Sequence, residues 1–213
     1  MARKRLGETT GAFWSDTELN SWIDEAGEDL AFKTKSIRTN SYFTSVVSTS
    51  DYVLSTELPN CLSIFELYFK TNGTTWVKMD PLTTRESLDI EYPGWMNASA
   101  GVPDRYYYNR EEDKLFIFPK PNSSNAGANY VRAFYARTYT ALTDDGLSPT
   151  LPEPLHLAMV DWVVSLGYET RGYGDKANDA MAKYEAKIQR YMVERHREKE
   201  DDDIQMRPER RWH

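Results

Sequence analysis

The sequence predicts an α+β fold: a small helical bundle made of one N-terminal helix and two C-terminal helices, an inserted antiparallel β-sandwich or barrel, and an extended C-terminal tail. Three observations carry that expectation. Apolar residues recur at three- and four-residue steps near both ends of the chain, the period falls to two from about Tyr42 to Tyr139, and turn formers punctuate that middle stretch at short intervals. An N-terminal helix finds partners for its apolar stripe only in the C-terminal pair, so the middle reads as an insertion. The expected organisation is a flexible arm over 1–12, the bundle over 13–41 and 147–198, the β domain over 42–146 and the tail over 199–213.

The elements follow in order. Residues 1–11 mix three bases with Gly7, Thr9, Thr10 and Gly11 and show no apolar period, hence the arm. Ser15-Asp16-Thr17-Glu18 is a capping box, in which the Ser15 hydroxyl accepts from the Glu18 amide and the Glu18 carboxylate accepts from the Ser15 amide. Trp14 and Leu19 occupy the staple positions, and Leu19, Trp22, Ile23, Ala26 and Leu30 form one stripe on a helix of about residues 15–35. Strands are expected at 42–47, 52–54, 63–70, 75–79, 105–109, 114–118 and 129–139, rich in β-branched and aromatic residues. Asn72-Gly73 signals a type I′ hairpin, because both central residues of that turn need positive φ. Thr83 with Glu86 suggests a second box, opening a short helix that Pro93-Gly94 stops. Pro152 and Pro154 mark a helix start, with Leu155, Met159, Trp162, Val163 and Leu166 as its stripe. After Gly172 and Gly174, with Asp175 as N-cap, Ala177, Met181, Tyr184, Ile188 and Tyr191 mark a last helix reaching about residue 198.

Composition narrows the function. A chain of 213 residues is long enough to bury a core without disulfides or a structural metal. Its one cysteine, Cys61, closes no internal bridge and builds no cysteine-rich zinc site, so folding in a reducing cytoplasm is expected. The opening residues carry no apolar stretch after their bases, and no run of eighteen apolar residues occurs, so neither a signal peptide nor a membrane anchor is expected. With 26 basic against 33 acidic side chains, the net charge of -7 argues against a broad nucleic-acid grip, while leaving DNA free to pass nearby. Fourteen Tyr and six Trp supply the amphipathic rings that protein interfaces favour.

A search for catalytic groups is negative. There is no phosphate loop, no Gly-x-Ser-x-Gly elbow, no His-Glu-x-x-His and no cysteine pair at zinc spacing, so neither catalytic residue, metal nor cofactor is expected. His156, the one histidine within the expected folded body, has no nucleophile set beside it by any motif and reads as a surface imidazole. His196 and His213 lie on the charged run and at the last residue. Asp201-Asp202-Asp203 lacks the spaced carbonyls of a calcium loop and reads as solvated, and Glu111-Glu112-Asp113 reads as a polar hairpin turn. Tyr106 and Tyr108 share one face of a strand and Tyr107 the other, so at least one set packs in the core. Core packing is preferred for these rings over a platform that stacks sugars or bases.

The order of these motifs carries a resemblance. Trp14-Ser15-Asp16-Thr17-Glu18-Leu19 opens a helix with Trp22-Ile23 and Ala26. Leu58-Pro59 comes next, then Gly101-Val102-Pro103 before Tyr106–Tyr108, Lys114–Pro121 (KLFIFPKP), the Tyr130–Tyr139 strand and Leu151-Pro152 before the helical pair. Over about residues 13–192 this resembles the head-to-tail adaptor proteins of tailed bacteriophages. The resemblance implies a non-enzymatic homo-oligomeric ring, commonly of twelve copies, at the head-tail junction of a virion assembled in the host cytoplasm. Its implied partners are the portal protein, a tail or nozzle protein and, transiently, genomic DNA in the channel, with no membrane. The bundle would line the ring and the sandwich would project outward.

A charged helix end giving way to an aperiodic segment adds one expectation: Ile204, Met206 and Trp212, with Arg210 and Arg211, anchor the tail on the portal or on a neighbouring subunit. Two rivals stand beside this reading. One is a carbohydrate- or surface-binding β module, suggested by the aromatic strands. The other is a hydrolase using carboxylates that nothing singles out among the 33 acids.

Overall fold

The computed structural model describes residues 1–7, 13–84, 86–142 and 148–205, with residues 198–205 described in backbone only. In chain order the helices and strands are α1 (Ala2–Arg5), α2 (Asp16–Thr34), β1 (Arg38–Ser45), β2 (Asp51–Val53), α3 (Leu54–Glu57), β3 (Cys61–Thr71), β4 (Thr75–Pro81), α4 (Ser87–Glu91), β5 (Arg105–Asn109), β6 (Lys114–Phe118), β7 (Gly127–Arg137), α5 (Glu153–Thr170) and α6 (Gly174–Gln205). The fold is α+β, with six helices and one seven-stranded sheet among the described residues. The chain divides into two compact units, Met1–Ser36 with Tyr139–His213, and Ile37–Thr138.

In the helical unit, α2 begins on the Ser15 box. The Ser15 hydroxyl accepts from the Glu18 amide at 3.2 Å, and the Glu18 carboxylate accepts from the Ser15 amide at 2.9 Å. Trp14 and Leu19 are both buried, in one cluster with Leu6, Val163, Val164 and Ala180, as a staple requires. The helix ends at Lys35, which adopts φ 48 and donates its amide to the Ala31 carbonyl. Leu155, Ala158, Val163 and Tyr184 are wholly buried where α5 and α6 pack, and the Tyr184 hydroxyl donates to Asp29 of α2. The α5–α6 turn uses Gly172 at φ 75.

The structure describes part of each expected end of this unit. Residues 1–7 of the supposed arm are docked on α5: Leu6 is 4 % exposed, and the Arg171 guanidinium donates to its carbonyl at 3.3 Å. Met1, Ala2 and Leu6 set no apolar period, so nothing local announces an anchor whose partners on α5 lie more than 150 positions away. At the other end α6 continues helical to Gln205, where an extended tail from residue 199 was expected. Lys, Glu and Arg are good helix formers, and pairs such as Arg190–Glu194 at 2.8 Å support the charged run without an apolar stripe. Asp175 lies within the first turn of α6 rather than capping it.

In the second unit the strand order is β1-β7-β3-β4-β5-β6-β2. Where an antiparallel sandwich or barrel was expected, the strands form one sheet, antiparallel at every pairing except β4–β5, which is parallel. The parallel step follows from the long connection over residues 82–104, which carries the chain back to the start of β4's neighbour. Asn72 and Gly73 have φ 49 and 71, and β3 and β4 pair antiparallel around them. One face of the sheet buries Phe43, Leu67, Phe69, Met79, Val131 and Tyr135 together. The long connection builds its own cluster of Leu82, Leu88 and Trp95 over Phe116 and Phe118, so β6 is covered on both faces. Its helix begins at Ser87 with no side-chain cap, so the expected box of Thr83 with Glu86 does not form.

Candidate functional site

One polar recess of the helical unit is built around an aspartate. In α5 the run Leu155-His156-Leu157-Ala158-Met159-Val160-Asp161-Trp162-Val163-Val164 holds Asp161 as its only acid, and its side chain is 3 % exposed. Burial of a carboxylate requires compensation. Two cations supply it: the Arg5 guanidinium reaches Oδ1 at 2.5 Å, and the Lys187 ammonium donates to Oδ2. The recess continues as a cleft of about 520 Å³ lined also by Tyr168, Lys176, Asp179 and Lys183. Lys183 pairs with Asp179 at 2.5 Å, and the Lys176 ammonium lies over the rings of Tyr168 and Tyr173, 5.6 and 5.1 Å from their centroids. Burial, and then the neighbouring Arg5 charge, hold the Lys187 ammonium below its usual pKa. Four cations thus face two carboxylates, in a chain whose net charge is -7.

A second recess of about 490 Å³ lies between the first residues, α2 and α5, lined by Leu19, Ile23, Val160 and Val163 with Arg3 and Asp16 at its rim. His156 borders it and lies 2.9 Å, through Nε2, from the Leu151 carbonyl, which fits the surface imidazole read from sequence. In the β unit the outer face carries Tyr42, Tyr68, Trp76 and Phe134. The Arg132 guanidinium lies over Tyr42 and Phe134, 5.2 and 4.5 Å from their centroids. The connection between β4 and β5 exposes Ile90 at 84 % and Met96 at 66 %.

Other residues singled out by sequence take structural places. Tyr106 is buried with Tyr108 packed beside it, and Tyr107 packs on the Trp95 cluster, so both faces of β5 are occupied. Glu111-Glu112-Asp113 is the turn between β5 and β6. There Asp113 takes φ 53 and its carboxylate accepts from the Ser55 amide and hydroxyl at 2.7 and 2.6 Å. Cys61 is buried, and burial raises its thiol to about 11, far from a nucleophile's range. Among the described residues no three of His, Cys, Asp and Glu gather to hold a metal ion, and no helix is long and apolar enough to cross a membrane.

Of the expected tail anchors, Ile204 lies in the last turn of α6 and only its backbone is described, while Met206, Arg210, Arg211 and Trp212 lie outside the described residues. Sequence reasoning missed the Asp161 cleft. The available signal was a lone acid inside an otherwise apolar helical run, together with bases in a supposedly free arm. No curated protein matches the chain. The profile of the SU10 adaptor protein family does, over residues 1–211, and so takes in both the N-terminal segment and nearly all of the C-terminal one. The chain therefore belongs to the SU10 adaptor protein family, the phage head-to-tail adaptors that its motif order resembles.

Proposed function

We propose that this chain forms a homo-oligomeric ring, of twelve copies, beneath the portal at the head-tail junction of the virion. The ring joins the capsid vertex to the tail or nozzle protein and lets genomic DNA pass through its lumen. The carrying observation is the family match over residues 1–211. Two further observations support it. Exposed apolar side chains occur in both units, among them Ile90 and Met96 on the β4–β5 connection and Met192 and Val193 on α6, as contacts to several neighbours require. A net-negative subunit repeated around a channel also repels DNA phosphates and lets the duplex slide.

The helical unit is the part assigned to the lumen, and the β unit the part that projects. The C-terminal residues Ile204, Met206, Arg210, Arg211 and Trp212 are assigned to the portal or a neighbouring subunit. The test is a portal pull-down with the full chain and with a chain truncated after Met192, followed by negative-stain images of the complex. A ring under the portal, lost with the truncation, is expected. Undiminished capture of the truncated chain refutes the tail's role, and a single copy beside the portal refutes the ring.

The outer β face, with Arg132 between Tyr42 and Phe134, favours a second reading as a glycan-binding surface. A glycan array decides it, since an adaptor binds none.

A further inference from the structure

The Asp161 cleft is over-supplied with positive charge. Asp161 neutralises one of the two cations that touch it, and Lys183 is answered by Asp179, which leaves the equivalent of two positive charges along the first half of α6. Lys176 and Lys183 are exposed, and the Arg5 and Lys187 side chains keep 42 and 32 % of their surface. Nothing in the helical unit supplies a further acid at this cleft among the described residues. The opposite end of the same helix carries the complementary pattern. Glu198, Glu200, Asp201, Asp202 and Asp203 follow one another with only Lys199 between them, and the backbone stays helical to Gln205.

One continuous helix keeps these two ends apart. From Lys176 to Asp202 the rise of about 1.5 Å per residue gives about 40 Å, so the acidic end does not fold back into the cleft of its own chain. We propose that the cleft formed by Arg5, Lys176, Lys183 and Lys187 receives the acidic end of α6, Glu198–Asp203, from a second copy of this chain. Such a contact is heterologous: each subunit gives its helix end to one neighbour and receives one from the other, the kind of contact that makes a ring when its repeated rotation returns to the start. Opposite charges at the two surfaces steer the encounter and fix its register, while like-charged alternatives, cleft to cleft or end to end, repel. The inference rests on the ring reading and deepens it by naming the subunit contact.

The test uses two charge-reversed full-length chains, one with Lys176→Glu and Lys183→Glu, the other with Asp201→Lys, Asp202→Lys and Asp203→Lys. Lys176 and Lys183 are exposed, and circular dichroism checks that each variant remains folded. Sedimentation velocity is then run on the wild type, each variant and their equimolar mixture, at low and high salt. The wild type is expected to assemble at low salt and dissociate as salt rises, because screening weakens the contact. Each variant alone is expected to lose the faster-sedimenting species. The mixture is expected to recover it, since the acidic cleft of one variant accepts the basic end of the other, and the basic cleft of the second accepts the acidic end of the first.

Variants that assemble like the wild type, or a mixture that stays monomeric, overturn the contact. So does a wild type that remains monomeric throughout, or loss of assembly in the cleft variant alone, which assigns the cleft to a different acidic segment. Capture of the full chain by the portal is read separately, so failure here leaves the adaptor reading to its own test.

Discussion

At Asp161 a single side chain ties three parts of the helical unit together. Its carboxylate sits on α5, is 3 % exposed, and holds Arg5 from the N-terminal segment and Lys187 from α6. Substitution by Asn keeps the shape and removes the charge, leaving two cations facing each other across an amide. For a fully buried pair the loss of one partner costs about 3–5 kcal/mol. Arg5 and Lys187 retain 42 and 32 % of their side-chain surface, so solvent relieves part of that cost and Asp161→Asn is expected to destabilise the protein by about 2 kcal/mol. Urea denaturation measures it. A midpoint unchanged from wild type would show that the aspartate is dispensable to the fold. The site was half legible at this scale. An acid inside an apolar helical run states that something must compensate it, but pairs separated by 156 and 26 positions have no signature in the spacing of either partner.

Helix α1 is only four residues long, too short to persist alone, and it holds its place through Leu6, the Arg5–Asp161 pair and the Tyr168 hydroxyl, which donates to the Arg5 carbonyl at 3.3 Å. Leu6 rests on Gly167 of α5. A Cβ at Gly167 would stand 2.8 Å from both Leu6 methyl carbons, closer than packed atoms approach. Gly167→Ala is therefore expected to lift Leu6 and undock the N-terminal segment while α5 itself gains helix propensity. Hydrogen exchange and limited proteolysis report the two effects separately: the hydrogen-bonded amides of Arg5 and Leu6 lose protection and Arg3, Lys4 and Arg5 become cleavable, while amides of α5 keep theirs. Retained protection of the Arg5 and Leu6 amides would show that Leu6 repacks without release.

The contrast with α2 explains what sequence reveals about elements. The Ser15 box and the Asn72-Gly73 turn are written within four or five consecutive residues, and each appears where its local chemistry puts it. The docking of α1, the parallel β4–β5 step and the helical continuation to Gln205 depend on partners or propensities outside any short window.

Across the whole molecule, the change of apolar period separates helical from strand-forming chain, yet the pairing order of the strands and the burial of individual tyrosines come only from the assembled core. That burial sets the response to alkali. Burial raises Tyr106, with a smaller push from Tyr108, and raises Tyr139, with a smaller push from Asp24; both are pushed from 10.0 to about 12. Burial lifts Cys61 from 9.0 to about 11, and burial and then the hydrogen bond to Asp29 raise Tyr184. In each case the folded-state pKa lies above the unfolded one, so between the two values the native state binds more protons than the unfolded chain. The stability these groups contribute is then complete below about pH 9 and is lost progressively as pH rises toward 12. Thermal melts are expected to hold a steady midpoint near neutrality and fall steeply above pH 9, with the buried tyrosines ionising only as the protein unfolds. Tyr139 isolates the cause, because its buried hydroxyl has no hydrogen-bond partner. Tyr139→Phe removes a titrating group without breaking a bond, so it is expected to leave the neutral-pH midpoint within a degree or two of wild type and to flatten the alkaline decline. A variant whose midpoint falls with pH as steeply as the wild type's would place the alkaline sensitivity elsewhere in the fold.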